Sequence, residues 1–200
     1  YDASLEVTIE VASACYRGGI KILEFTNRGD LAWEVFKELE KYCKENLPEM
    51  VLGAGSISDS TMADMYISMG ANFIVGPLTN QNVAISCNRK KIPYMPGCLT
   101  PTEISNAEEL GCDVVKVFPA DSLGGPSFVK SILAPMPWSL IMPTGGVDMD
   151  PAGLKEWFDS GVFSVGMGSK LFTKEIMQNK DWALLEKQCK ELSKILKDIS

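Results

Sequence analysis

With 200 residues, 46% of them hydrophobic, the chain is sized for one domain with a substantial core, and a net charge of −7 without a basic stripe argues against a nucleic-acid partner. The lack of histidine removes imidazole bases, Ser-His-Asp triads and the commonest metal ligand together, so proton transfer falls to carboxylate, lysine, tyrosine, cysteine or water. The cysteines at 15, 43, 87, 98, 112 and 189 lack CxxC spacing and no apolar run approaches the roughly 18 residues of a membrane span, so reduced thiols, a cytoplasmic location and no membrane partner are expected.

In chain order, residues 4–17 show the periodicity of an amphipathic helix. Short β-rich apolar runs then follow at 20–25, 51–54, 72–75, 93–95, 113–118, 139–142 and 162–165. Helical patterns fall between them near 30–46, 58–69, 80–90, 101–110, 126–133 and 151–159, several opened by a cap such as Ser58 or Asn80 or by a first-turn proline. The tail carries Trp182, Leu185, Cys189, Leu192 and Leu196 on one face and reads as a closing helix at about 180–198. Regular alternation of strand and helix predicts an α/β fold around a parallel sheet. Seven strands behind a leading helix suggest a repeat that has lost its first strand, as by N-terminal truncation. One strand more makes eight units, so the expectation is a single (β/α)8 TIM barrel domain over residues 1–200, its first β-strand missing from this chain.

In such a barrel the chemistry gathers at the carboxyl ends of the strands. Lys116 lies inside Val-Val-Lys-Val-Phe-Pro (114–119), and an ammonium in an apolar strand needs a reason. Burial would lower its pKa and make it a nucleophile toward carbonyls; alternatively it reaches water past Asp113. Glu24 lies near the carboxyl end of another apolar run and is followed at short range by Thr26 and Arg28, either as an acid–base group or as a Glu24–Arg28 ion pair stitching a loop. Gly53-Ala54-Gly55-Ser56 permits close backbone approach beside a hydroxyl. Pro143-Thr144-Gly145-Gly146 and Val165-Gly166-Met167-Gly168-Ser169 end the last two strands, where backbone N–H groups can cradle a phosphate.

Taken together, Glu24, Thr26 and Arg28, Gly-Ala-Gly-Ser (53–56), Pro-Gly (96–97), Thr-Pro-Thr-Glu (100–103), Lys-Val-Phe-Pro-Ala (116–120), Pro-Thr-Gly-Gly (143–146) and Gly-Ser (168–169) resemble the 2-keto-3-deoxy-6-phosphogluconate (KDPG) aldolase family, in order and spacing from about residue 5 to 172. The resemblance implies a class I aldolase with no metal or other cofactor. Such an enzyme cleaves KDPG to pyruvate and glyceraldehyde 3-phosphate, and often 4-hydroxy-2-oxoglutarate to pyruvate and glyoxylate. It implies Lys116 as the Schiff-base residue, Glu24 as the proton carrier and Arg28 as the clamp on the substrate carboxylate, aided by Ser56 and Thr144. Pro77 and Phe118 would form apolar walls, and Gly145, Gly146, Gly168 and Ser169 would hold the phosphate. It further implies a homotrimer whose partners are a phosphorylated sugar acid and pyruvate.

Thr144, where relatives acting on the galactonate isomer carry an aliphatic residue, leans toward the gluconate form. The chain departs from the family pattern at Ser56, usually threonine, at Asn27 and Gly29, usually leucine and threonine, and at Val117, usually aromatic. Met167 leaves the phosphate role of Gly166 open. Three other readings remain at this level: an aldolase for the galactonate isomer, a phosphate-binding barrel isomerase or synthase using Glu24 as base, and a non-catalytic phosphosugar-binding protein.

Overall fold

A computed structural model describes residues 2–199, so Tyr1 and Ser200, the ends of the expected domain, lie outside the described residues. Helix α1 (Leu5–Arg17) leads into β1 (Ile22–Thr26), followed by α2 (Ala32–Asn46), β2 (Val51–Gly55), α3 (Ser60–Ser68), β3 (Ile74–Val75), α4 (Gln81–Lys90) and β4 (Tyr94–Met95). Next come β5 (Gly97–Cys98), α5 (Pro101–Glu109), β6 (Val114–Val117), α6 (Pro126–Leu133), β7 (Leu140–Pro143), α7 (Pro151–Asp159), α8 (Lys174–Asn179) and α9 (Trp182–Ile199). Every ladder is parallel, in the orders β1-β2-β3-β4 and β5-β6-β7, and each strand after its partner is reached through a helix. The fold is of the (β/α)8 type.

The expected strand at 93–95 runs on beyond Pro96, and proline explains why it pairs in two halves. Without an N–H, Pro96 cannot donate to a ladder; β4 pairs with β3 before it and β5 with β6 after it. The Lys116 N–H donates to the Pro96 carbonyl at 2.9 Å, so the two ladders meet at this residue.

The run at 162–165 does not form the strand expected of it. Phe163 and Gly166 donate N–H groups to the carbonyls of Ile141 (2.9 Å) and Pro143 (2.8 Å), and Thr144 and Gly166 form a lone parallel bridge. Among the described residues no strand lies on the other side of this segment, and Gly161 (φ 94) takes left-handed backbone immediately before it. One cap also differs. The Asp59 carboxylate, not Ser58, accepts from Met62 N–H at the start of α3, while the Ser58 carbonyl accepts from Asn80 Nδ2 at 2.9 Å. Asn80 caps α4 as expected.

Strand pleating sets which side chains meet the helical layer. Phe25 in β1 packs against Phe36 of α2 (ring centroids 5.7 Å apart), and Phe36 meets Tyr66 of α3 edge-on at 4.9 Å. α9 closes the fold against α1 through buried Leu185, Cys189 and Leu192, with Arg17 Nε donating to Glu186 at 2.7 Å and Ser193 Oγ to the Gly18 carbonyl at 2.8 Å.

Candidate active site

β6 lies between β5 and β7, with Lys116 in register with Gly97 and Met142. Its neighbours Val115 and Val117 are fully buried toward the helices, so Lys116 projects from the opposite, interior face and is only 7% exposed. Burial holds the Lys116 amine below the usual lysine range; the Glu24 carboxylate pulls the other way, and the Arg28 guanidinium adds to the lowering. Asp113 is exposed and pairs with no lysine among the described residues, so escape to water beside it is not how this side chain is accommodated. Nζ lies 5.0 Å from the Phe118 ring centroid, within cation–π range.

Glu24 alternates with the buried Phe25 and therefore shares the interior face of the sheet. Its carboxylate folds over the end of β2: a Cβ on Gly55 would sit 1.7 Å from Glu24 Oε1. Glycine at 55 is thus a condition for the Glu24 position. With Glu24 as the proton carrier that the sequence resemblance implies, Gly55→Ala is expected to displace the carboxylate and lower kcat by roughly 10²-fold, the usual consequence of misplacing a reacting group by about 1 Å. Steady-state assay beside circular dichroism checks this, and an active, folded variant would contradict it. The Glu24–Arg28 ion pair does not form among the described residues.

Arg28 is exposed at the mouth of the site, its N–H donating to the Thr26 carbonyl at 2.9 Å, and Asn27 N–H donates to Gly55 at 2.8 Å. Ser56 follows Gly55 with a left-handed backbone (φ 60) and a half-buried side chain. Beyond β3, the Pro77 carbonyl crosses so close to Gly97 that a Cβ there would be 2.3 Å away, which brings this loop against β5.

On the other side of Lys116, Thr144 is held by its N–H donating to Val117 and its carbonyl accepting from Ala120, both at 2.9 Å. Its hydroxyl rests on Gly166, where a Cβ would lie 2.3 Å from Oγ1. Gly145 (φ 97) and Gly146 (φ 75) are both left-handed, a turn that L side chains resist. Gly168 and Ser169 are exposed just beyond the Gly166 bridge, and the Gly168 carbonyl accepts from the N–H groups of Leu171 and Phe172 at 2.9 Å. No hydrogen bond among the described residues joins this turn to Gly145–Gly146; the Thr144–Gly166 bridge sets the two side by side.

The structure thus sets Lys116 and Glu24 on the interior face of the sheets with Phe118 beside the lysine, Arg28 at the mouth, Ser56 and the Thr144–Gly146 turn just past the ends of β2 and β7, and Gly168–Ser169 beyond the bridge at Gly166. Sequence reasoning did not single out Asp121, which follows the lysine motif and packs against Gly146, where a Cβ would meet Asp121 Cβ at 2.4 Å. Nor did it find the specific need for glycine at 55. Burial pushes the Cys43, Cys87 and Cys98 thiols up to about 11 and that of Cys112 to about 12, so these four offer no competing nucleophile. A cavity of about 380 Å³ at the opposite ends of β6 and β7, lined by Glu108, Cys112, Asp113, Trp138 and Leu140, contains none of the candidate groups.

The model of the aldolase family described as KDPG and KHG aldolase matches residues 3–188. Among curated relatives, the 2-dehydro-3-deoxy-phosphogluconate aldolase of Haemophilus influenzae is 27% identical over 189 residues, covering 94% of this chain and 86% of that protein. The protein of the same name from Treponema pallidum is 33% identical over 146 residues, covering 73% of this chain and 68% of its own. A crystal structure of KDPG aldolase from Legionella pneumophila, with pyruvate captured as a covalent carbinolamine, superposes with a TM-score of 0.84 at 27% identity, covering 94% of this chain and 89% of that one.

Proposed function

The chain belongs to the KDPG and KHG aldolase family, and on that premise we propose how its residues divide the reaction. It is a class I aldolase that cleaves KDPG to pyruvate and glyceraldehyde 3-phosphate. The observation that carries the assignment of roles is the buried Lys116, whose amine is held below the usual lysine range on the face it shares with Glu24. A neutral amine retains the lone pair that attacks a ketone.

Lys116 Nζ adds to C2 of the substrate, and loss of water from the carbinolamine leaves a protonated iminium. Glu24, acting through water, accepts the C4-hydroxyl proton; the C3–C4 bond breaks and its electron pair passes into the iminium as an enamine. Glyceraldehyde 3-phosphate departs, C3 is protonated, and hydrolysis frees pyruvate and the lysine. Arg28, with Ser56 and Thr144, holds the C1 carboxylate so that C2 faces Nζ. Phe118 and Pro77 wall the reacting carbons. Gly145, Gly146, Gly168 and Ser169 receive the distal phosphate, whose binding energy orients the bond to be cut.

This assignment needs no metal or other cofactor. We further propose cleavage of 4-hydroxy-2-oxoglutarate to pyruvate and glyoxylate, one catalytic domain over residues 1–200, assembly as a homotrimer and a cytoplasmic location. For the location, the supporting fact is that no helix among the described residues is long and apolar enough to cross a membrane.

The test is pyruvate release from KDPG, from its galactonate isomer and from 4-hydroxy-2-oxoglutarate under the same conditions. KDPG is expected to give the highest kcat/KM. Preference for the galactonate isomer would overturn the stereochemical part of the proposal, and no release from any of the three would overturn the whole.

A further inference from the structure

The loop that carries Arg28 has little of the usual local fixing. Residues 28–31 are exposed, Gly29 (φ 110) and Leu31 (φ 56) are left-handed, and Leu31 opens α2 without a side-chain cap. What holds the loop is the residue before the arginine. Asn27 N–H donates to the Gly55 carbonyl at 2.8 Å, and Asn27 Oδ1 accepts from the Tyr66 hydroxyl at 3.0 Å.

Tyr66 is a rigid anchor. It is fully buried on α3 and edge-on to Phe36, which in turn packs on Phe25 of β1. A phenol in such a core needs a hydrogen-bond partner, because an unsatisfied hydroxyl there is costly. Asn27 supplies an acceptor that leucine, the residue usual at this position in the resemblance, would not.

We propose that Tyr66, acting through Asn27, is a positioning residue for the carboxylate clamp: its hydroxyl fixes the backbone from which Arg28 reaches the C1 carboxylate of pyruvate and KDPG. The inference rests on the reading of Arg28 as that clamp. An arginine meets a carboxylate through a planar fork, so a loop shifted by a fraction of an ångström loses contacts to the carboxylate while the ketone still reaches Lys116.

The experiment is reductive trapping of Lys116 by cyanoborohydride over a range of pyruvate and, separately, of methyl pyruvate, which keeps the ketone and lacks the charge. For Tyr66→Phe, the pyruvate concentration giving half-maximal trapping is expected to rise roughly 3- to 10-fold, the worth of one hydrogen bond, while that for methyl pyruvate moves less than about 2-fold. Asn27→Leu should reproduce this, and the double variant should be no worse than either single one, because both remove the same bond. Should Tyr66→Phe fail to fold, Asn27→Leu carries the comparison. Equal shifts for the two ligands, or no shift for either, overturn the role of Tyr66 while leaving the aldolase reading intact. A wild type that neither ligand labels at Lys116 overturns the aldolase reading and this inference with it.

Discussion

Lys116→Arg is expected to lower kcat for KDPG by on the order of 10⁴-fold or more, because guanidinium keeps the positive charge but is never deprotonated and cannot form an imine. Borohydride with pyruvate should leave a reduced adduct on wild-type Lys116 and none on the variant. If Lys116→Arg kept a substantial share of kcat, the lysine would be an electrostatic partner only, as in the isomerase or synthase reading.

The same residue carries a stability consequence of opposite sign. Lys116 is 7% exposed and its amine is held below the usual range mainly by burial, so the folded state releases its proton more readily than the unfolded chain does. Between the lowered folded value and the ordinary lysine value near 10.4, the unfolded state binds more protons, and wild-type stability rises with pH through that window. Below the window the charged amine weighs fully against folding. Lys116→Met is therefore expected to stabilise the protein at neutral pH by about 1 kcal/mol, roughly 2–4 °C in Tm, with the advantage shrinking as pH climbs toward 10. Melting curves at several pH values check both the sign and the trend; a lower Tm than wild type would show that Lys116 contributes packing worth more than its desolvation costs.

Glu24→Gln is expected to reduce kcat by roughly 10²- to 10⁴-fold, the range of a lost acid–base group, while pyruvate still labels Lys116 more slowly under borohydride. Glutamine keeps the volume that lies over Gly55, so the thermal midpoint should change little. A second readout separates this role from a purely structural one. The Glu24 carboxylate raises the Lys116 pKa against the effect of burial, so its neutralisation should let the lysine value fall further. The acid limb of the residual pH–rate profile should move to lower pH. A loss of less than tenfold, or an acid limb moving upward, would assign the proton transfers to another group.

Much of this architecture is legible along the chain because helices and strands follow from periodicity and breakers a few residues apart. The helices at 80–90, 126–133 and 151–159 appear within a residue of those bounds, and six strand positions are recovered to within two residues at each end. The failures share a cause. The run at 162–165 has strand composition but lacks a ladder on one side among the described residues, and β-structure depends on its neighbours. Pro96 divides a strand in a way that becomes visible only once β3 and β6 stand on either side of it. The shift of the cap from Ser58 to Asp59 is a choice between two good caps, decided by the extended backbone at Asp59 and by Asn80 claiming the Ser58 carbonyl.

By itself, the sequence determined the alternation of strands and helices, the ordered motifs that mark an aldolase, and the fact that proton transfer must proceed without histidine. These are matters of composition and of residues near one another in the chain. The tertiary structure alone decided that Lys116 lies buried in the field of Glu24 and Arg28 rather than beside Asp113, that Gly55 leaves the space Glu24 occupies, and that Tyr66 reaches Asn27. A pKa, a close approach and a hydrogen bond each depend on distances of a few ångströms between groups far apart in the chain, and only the packing of β1, β2, α3 and β6 sets those distances.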